Sequence, residues 1–409
     1  MKSQGMRKGI LAAAAILVLL LTLPAVAETL EPFQPDPAGK AAWPFRMGPI
    51  SSGAFARPAP DSGTVHPHAT VTTFQTAIGT VNVALDARSV EAEQPDLLRI
   101  DFSGSGRFND TDVIPLQPWE YFRTRSERVK LSFQRDGRTI PVIVSVPQYY
   151  KRGERRMMRL EMVIAARGAL RFGEQSRDVI VFDGNSNLKL GDLAKPDRKF
   201  AFAPPCDTVL IAGADGKFDS PDAQAIVLGQ PVKVGEVLYT VQVGEDGWSA
   251  SAVPFDGPVG MIQVAHPHWE GLFVGQEHVV RLAGGDQPQP VPADSYVAAA
   301  YTEWAGEDHG PGAPNLNCYW QPKGQGKASR QEVVAGQVTQ FAVGSPLAIE
   351  PLVKVKGRQV TFDMSYADTG RTNEEVGVSV NLGKAIAEPK VLVYDAAGKQ
   401  VYSGTMEFG

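Results

Sequence analysis

Apolar and polar residues alternate with period two along much of the chain. Val81, Val83 and Leu85 alternate with Asn82 and Ala84. Val129, Leu131 and Phe133 lead into Asp136-Gly137, and Ile140, Val142, Val144 and Val146 alternate back. Met158, Leu160, Met162 and Ile164 are interleaved with Arg159 and Glu161. Successive side chains of a strand point to opposite faces, so each run predicts a half-buried strand. Asp-Gly between two such runs predicts a two-residue hairpin turn, whose central positions both take φ > 0. The pattern resumes at 232–243, 261–265 and 279–282, and again in the tail at 352–366 and 391–403. Short helical turns are expected only near 191–194 and 221–228, and 306–326, rich in Gly, Pro and Asn, reads as a long loop. With 41 Gly and 31 Pro, many short strands joined by turns are favoured. The predicted fold is all-β with minor helix, as two or three β-sandwich-like domains in tandem. A helical solenoid is excluded by the period.

Lys2, Arg7 and Lys8 precede an apolar run at 10–23, followed by Ala25-Val26-Ala27. This predicts a signal peptide over 1–27, cleaved after Ala27. The run is shorter than the ~20 residues of a spanning helix, and no membrane span is expected in the mature chain. The product would be exported to the periplasm, cell envelope or medium. A Pro-rich arm, 28–62, is expected to be extended or poorly ordered, with Trp43 and Phe45 available to dock it. The body divides into 63–258 (β-rich, with polar loops), 259–345 (a small β-sandwich-like domain) and 346–409 (a C-terminal β-sheet unit).

The full chain has a formal charge of −5, and loss of the leader removes three positive charges and no acid. Nucleic acid is therefore not an expected partner. Basic clusters at Arg123, Arg125 and Arg128, and at Lys151, Arg152, Arg155 and Arg156, are assigned first to solvated strand faces. Cys206 and Cys318 admit either a disulfide, which an oxidising compartment permits, or two separate thiols.

Three polar loops stand out. Asp183-Gly184-Asn185-Ser186-Asn187-Leu188-Lys189-Leu190-Gly191-Asp192 follows the apolar run Val179-Ile180-Val181-Phe182. The second loop begins at Asp101 and ends at Asp112; the third contains Asp215 and Asp219. A hard cation such as Ca²⁺ takes six to eight oxygens from alternate positions of a tight loop. The second loop has that frame, with Asp101, Ser103, Ser105, Gly106 and Asp112. The first supplies Asp183, Asn185 and Asn187, with Asp192 in place of a terminal acid; Asp215 and Asp219 are candidates to complete it from a neighbouring hairpin. Turn chemistry is the competing account and the favoured one, since Asp, Asn, Ser and Gly tolerate φ > 0 and bond their own backbone. The only candidate cofactor is Ca²⁺, assigned first to the Asp183 loop.

These loops locally resemble EF-hand or dockerin calcium loops without the flanking helices. The run 178–222 and the tail 389–409 resemble secreted β-rich proteins of planctomycete-type bacteria. That resemblance implies an envelope location and a β architecture, and no activity.

Catalytic signatures are scarce. His66-Pro67-His68 and His266-Pro267-His268 place two His at i, i+2, where a metal can be shared, with Glu270 and His278 near the second pair. Proline restricts both, and surface turns are the favoured reading. No G-x-S-x-G, H-E-x-x-H or phosphate-binding glycine loop is present. Glu374-Glu375 and Asp308-His309 carry no sign of meeting a partner. Trp269, Trp304 and Trp320 suit either sugar stacking or core packing. The leading functional reading is a secreted or cell-envelope binding or structural protein without catalytic activity, with cell-surface polysaccharide or an envelope protein as candidate partner. The alternatives are an exported hydrolase acting on polysaccharide and a small-molecule or peptide carrier.

Overall fold

The computed structural model describes residues 27–405 apart from 35–49, 197–205, 305–314, 321–329, 382–389 and several shorter stretches. The chain is all-β: among the described residues every regular element is a strand, and nearly all pairings are antiparallel. Among the described residues no helix is long and apolar enough to cross a membrane. The two expected helical turns are corrected. Residues 191–194 are irregular, and 221–228 contains the strand Gln224–Val227, paired with Thr208–Ile211. Ile226 and Val227 are both buried there, as a strand between two packed layers requires and a one-sided helical turn would not.

The same succession of strands occurs twice. Thr70–Thr76, Gly79–Asp86, Leu97–Asp101 and Val113–Pro115 form a four-stranded meander. Ala165–Phe172, Gln175–Phe182, Thr208–Ile211 and Gln224–Val227 repeat it. Each meander is followed by three consecutively paired strands: Val129–Arg135, Arg138–Arg152 and Arg155–Val163 in the first unit, and Pro231–Val234, Val237–Val243 and Ser249–Pro254 in the second. Irregular contacts match as well. Leu116 N donates to the Asp96 carbonyl at 2.9 Å, and Leu228 N to that of Asp207 at 2.8 Å. The register aligns Asp96 with Asp207, because each immediately precedes the third strand of its meander. The predicted Asp-Gly hairpin is present, with φ of 50° at Asp136 and 74° at Gly137.

One hydrophobic core runs through both units, from Phe74, Val81 and Leu98 through Val142 and Met158 to Val181, Val209 and Val241. The beginning of the Pro-rich arm is part of it. Glu28 and Thr29 pair with Ala250 and Ser249 of one sheet, while Glu31, Pro32 and Phe33 pair with Arg167, Ala166 and Ala165 of another. Leu30, between them, is fully buried. Residues 28–33 are thus extended, one of the two alternatives expected for the arm, and pair as regular strands. Edge pairing tolerates Pro32, whose missing N–H is affordable at a sheet margin. Trp43 and Phe45 lie outside the described residues.

Beyond residue 258 a further β unit packs around Trp269, Phe273, Tyr296, Tyr301 and Phe341. Its large sheet includes Trp269–Val274, Asp294–Trp304 and Asn315–Trp320, and Asn315–Trp320 pairs in turn with Glu375–Asn381. Strands on both sides of residue 346 thus share one sheet. Asn315–Trp320 lies within the expected loop 306–326; its alternating Leu316, Cys318 and Trp320 suit a strand despite the flanking Gly and Pro. Gln230 joins this unit to the preceding one, donating to the Arg281 carbonyl and accepting the Arg281 N–H, both at 2.8 Å. The tail hairpin Lys390–Tyr394/Gln400–Thr405 is a two-stranded ribbon.

Candidate polar-loop site

The strand Gln175–Phe182 delivers Asp183 into the interior, where it is fully buried. Its Oδ1 accepts the N–H groups of Asn185 (3.1 Å) and Asn187 (3.3 Å), and its Oδ2 accepts that of Leu188 (2.6 Å). The backbone must coil tightly to bring these donors to one carboxylate. Ser186 and Leu188 accordingly take φ of 61° and 63°. That conformation is costly for a leucine, and core burial of Leu188 and Leu190 offsets the cost. The leucine that interrupts the polar series is therefore an anchor.

A second fully buried carboxylate, Asp207, closes the loop from outside. Its Oδ1 accepts Gly184 N–H at 3.2 Å, and its Oδ2 accepts Gly191 and Asp192 N–H at 2.6 and 2.9 Å. Gly184 is required by space: a Cβ there would lie 2.0 Å from the Cys206 carbonyl oxygen. The side-chain amides of Asn185 and Asn187 donate to Asp192 Oδ2 at 2.9 and 2.5 Å. Ala77 N–H donates to the Asn187 carbonyl at 2.9 Å, tying the loop to the first unit.

Burial pushes the Asp183 carboxyl up to about 7, against the pull of its backbone donors. Asp207 is raised too, by burial and then by the neighbouring Asp183 charge. Among the described residues no lysine, arginine or histidine is ion-paired with Asp183, Asp192 or Asp207. The adjacent Cys206 is a buried free thiol, raised to about 12 by burial; it forms no disulfide.

The other predicted ligands are dispersed. Asp101 accepts the Ser103 hydroxyl at 2.5 Å, Gly106 N–H at 2.7 Å and the Asn82 amide at 3.1 Å. Burial opposes its charge, but these donors hold its carboxyl below the usual carboxylate range. Asp112 instead accepts the Asn109 amide at 2.8 Å. Asp215 caps its own hairpin, accepting the Ser220 hydroxyl (2.8 Å) and Lys217 N–H (3.0 Å), and Asp219 is exposed. The acid brought to Asp183 is Asp207, rather than Asp215 or Asp219. Asp207 carries little signal in the sequence: it is an acid immediately before a buried strand, facing glycines 23 and 16 positions earlier.

The Asn185 and Asn187 Oδ1 atoms accept the N–H groups of Asn187 and Lys189, at 3.1 and 2.8 Å. Among the described residues no group of three or more His, Cys, Asp or Glu is placed to hold a metal ion.

The histidine pairs are similarly divided. His66 Nε2 faces the Ala92 carbonyl at 3.0 Å. His266 Nδ1 lies 3.8 Å from Glu303, while Glu270 pairs with Arg281 and His278 with Asp294. Trp269 is core, stacked on Tyr301 with ring centroids 6.2 Å apart. Asp308, His309 and Glu374 lie outside the described residues. No family model matches the chain, and neither a curated protein nor a solved structure does so.

Proposed function

We propose that the protein is an exported, non-catalytic binding or structural module whose buried acids hold its loops together. The observation that carries this reading is the use made of Asp207. Both of its carboxylate oxygens are engaged by backbone N–H groups of the 184–192 segment. Asp96, at the matching position of the first unit, makes the same contact on a simpler loop, accepting Arg88 N–H at 3.0 Å. A contact repeated in both units, one exposed and one buried, is a fastening of the repeat rather than a reaction centre. The reading is tested by incubating the mature chain with neutral and acidic polysaccharides and assaying new reducing ends. No release is expected; steady release would replace this reading with the hydrolase.

A second reading concerns Ca²⁺, and the lack, among the described residues, of a cationic partner for Asp183, Asp192 and Asp207 favours it. As arranged, the loop does not fit the ion, because the asparagine oxygens and both buried carboxylates are directed at N–H donors. A proton held within the Asp183–Asp207 pair offsets the charge without rearrangement, and we adopt that account. A melting temperature insensitive to EDTA and to added Ca²⁺ is expected. A rise of several degrees with Ca²⁺ would restore the metal.

A further inference from the structure

The strand Val129–Arg135 is paired on one side only. It joins residues 138–144, and among the described residues no strand lies along its other edge. The two-residue turn Asp136-Gly137 fixes which backbone groups face that edge. In such a hairpin the residues flanking the turn exchange hydrogen bonds, and bonded and non-bonded pairs then alternate. Arg135, Phe133, Leu131 and Val129 are therefore bonded to Arg138, Ile140, Val142 and Val144. Pro141, which has no N–H, stands opposite Ser132 at a non-bonded pair, in keeping with this phase. The N–H and C=O groups of Lys130, Ser132 and Gln134 consequently point away from the hairpin, and all three residues are exposed.

The second unit has the same edge closed. Its counterpart strand, Pro231–Val234, places a proline where an outward N–H would stand. The Lys233 carbonyl accepts the Gln224 side-chain amide at 2.8 Å, and the strand lies against Gln289–Pro292 of the following unit. The edge of the first unit is longer and contains no proline. Of its outward positions only Lys130 is charged, a thin guard against strand addition.

We propose that a second copy of this chain closes this edge, the two Val129–Arg135 strands pairing antiparallel about a two-fold axis at Ser132. Outward groups must meet outward groups, so even-numbered residues pair with even-numbered ones. An axis at Ser132 engages every outward position: Lys130 meets the partner's Gln134, and Ser132 meets its own counterpart. Moving the axis to Leu131 carries Asp136 past the end of the partner strand, and moving it to Phe133 sets Lys130 against the turn. The register at Ser132 also complements charge. Exposed Arg128 stands opposite the partner's Asp136, and the symmetry repeats the pair at the other end. No like charges stand directly opposite one another. Leu131 faces the partner's Phe133; both residues already pack on the core, so the pairing extends an existing apolar face. One strand pair buries less than the roughly 1,200 Å² at which stable complexes begin, and association is therefore expected to be weak and concentration-dependent. The proposal does not depend on the non-catalytic reading above.

The test is sedimentation equilibrium of the mature chain, residues 28–409, over about a hundredfold range of concentration, with three variants. A monomer–dimer equilibrium is expected. Ser132→Pro removes an outward N–H at an edge that tolerates proline; it should weaken association about tenfold or more while the thermal melt stays near wild type. Register is read by cross-linking in air. Bonded antiparallel pairs hold their Cα atoms about 5.5 Å apart, within disulfide reach, so Ser132→Cys should give a covalent dimer. Lys130→Cys should not exceed the wild-type background set by Cys206 and Cys318, because its counterpart lies about 14 Å away. If Ser132→Pro fails to fold, the two cysteine variants decide alone. A wild-type chain monomeric at every concentration would overturn the proposal, as it would if another protein occupied the edge. So would a dimer that survives Ser132→Pro in a folded chain, or equal cross-linking through Lys130→Cys and Ser132→Cys.

Discussion

Leu30 fills the space that a side chain on Gly168 would need: a Cβ on Gly168 would stand 2.8 Å from Leu30 Cδ2 and from the Thr29 carbonyl oxygen. The first residues after the expected cleavage point are thereby built into the core as a strap between two sheets. Leu30→Ala should cost about 2–5 kcal/mol by opening a cavity. Gly168→Val should displace the strap and cost a comparable amount. Urea denaturation of the mature chain measures both, and losses below about 1 kcal/mol would mean that the strap is peripheral.

Two glycines of the polar loops separate crowding from backbone conformation. A Cβ at Gly184 meets the Cys206 carbonyl oxygen at 2.0 Å, whereas at Gly216, with φ of +77°, it meets nothing within 4 Å. Gly216→Ala should cost about 1–2 kcal/mol, the penalty of a left-handed L-residue. Gly184→Ala should cost more, because the Asp207 clasp must shift to admit the methyl. Thermal melts of the two variants side by side check the order.

The stability of the chain should fall as pH rises through the neutral range. Asp183 is raised to about 7 and Asp207 is raised with it, so the folded pair binds protons that the unfolded chain releases near 4. The pair's contribution is fully present below the unfolded value and is lost as pH climbs toward the folded one, at a limiting slope of about 1.4 kcal/mol per pH unit for each proton. Asp101 and Asp294 act in the opposite sense. Burial resists the charge of each, but hydrogen-bond donors hold both carboxyls below the ordinary range. Their contribution is present above the unfolded value and lost as pH falls through the folded one. Maximum stability is therefore expected on the acid side of neutrality. Asp207→Asn should flatten the decline between about pH 4 and 7. Denaturant titrations across this range decide the matter, and wild-type stability that rises steadily from pH 5 to 8 would contradict the assignment.

The two units differ at a buried pair in a way that can be exchanged. Arg99 Nε donates to Asp86 at 2.7 Å with both side chains buried, and Arg99 also reaches Asp110 at 2.6 Å. The register of the second unit places Phe182 and Leu210 where the first has Asp86 and Arg99, and both are core. Arg99→Leu alone should cost about 3–5 kcal/mol, because Asp86 remains as an unpaired buried charge. Asp86→Phe/Arg99→Leu should recover much of that loss. Recovery absent in a double-mutant cycle would show that the pair is held by surroundings the second unit lacks.

Period-two alternation along each strand made the all-β class and most hairpins legible, because strand formation depends on local side-chain parity. Asp136-Gly137 was legible for the same reason, since a two-residue turn is decided by its own two residues. The Asp183 loop could be located but not interpreted. Its Asp, Asn and Gly residues satisfy the requirements of a cation loop and of a backbone-capped turn alike, and only the directions of the N–H groups distinguish the two. The strand at 224–227 was missed because its short polar-apolar run lacks a clear period.

The sequence by itself determined the all-β class, most of the hairpins and which residues are acidic, all properties of neighbours along the chain. Only the tertiary structure decided that Asp207 closes the Asp183 loop and that Leu30 enters the core. Those outcomes depend on sheet register and packing between residues far apart in the chain, where burial and charge act through space.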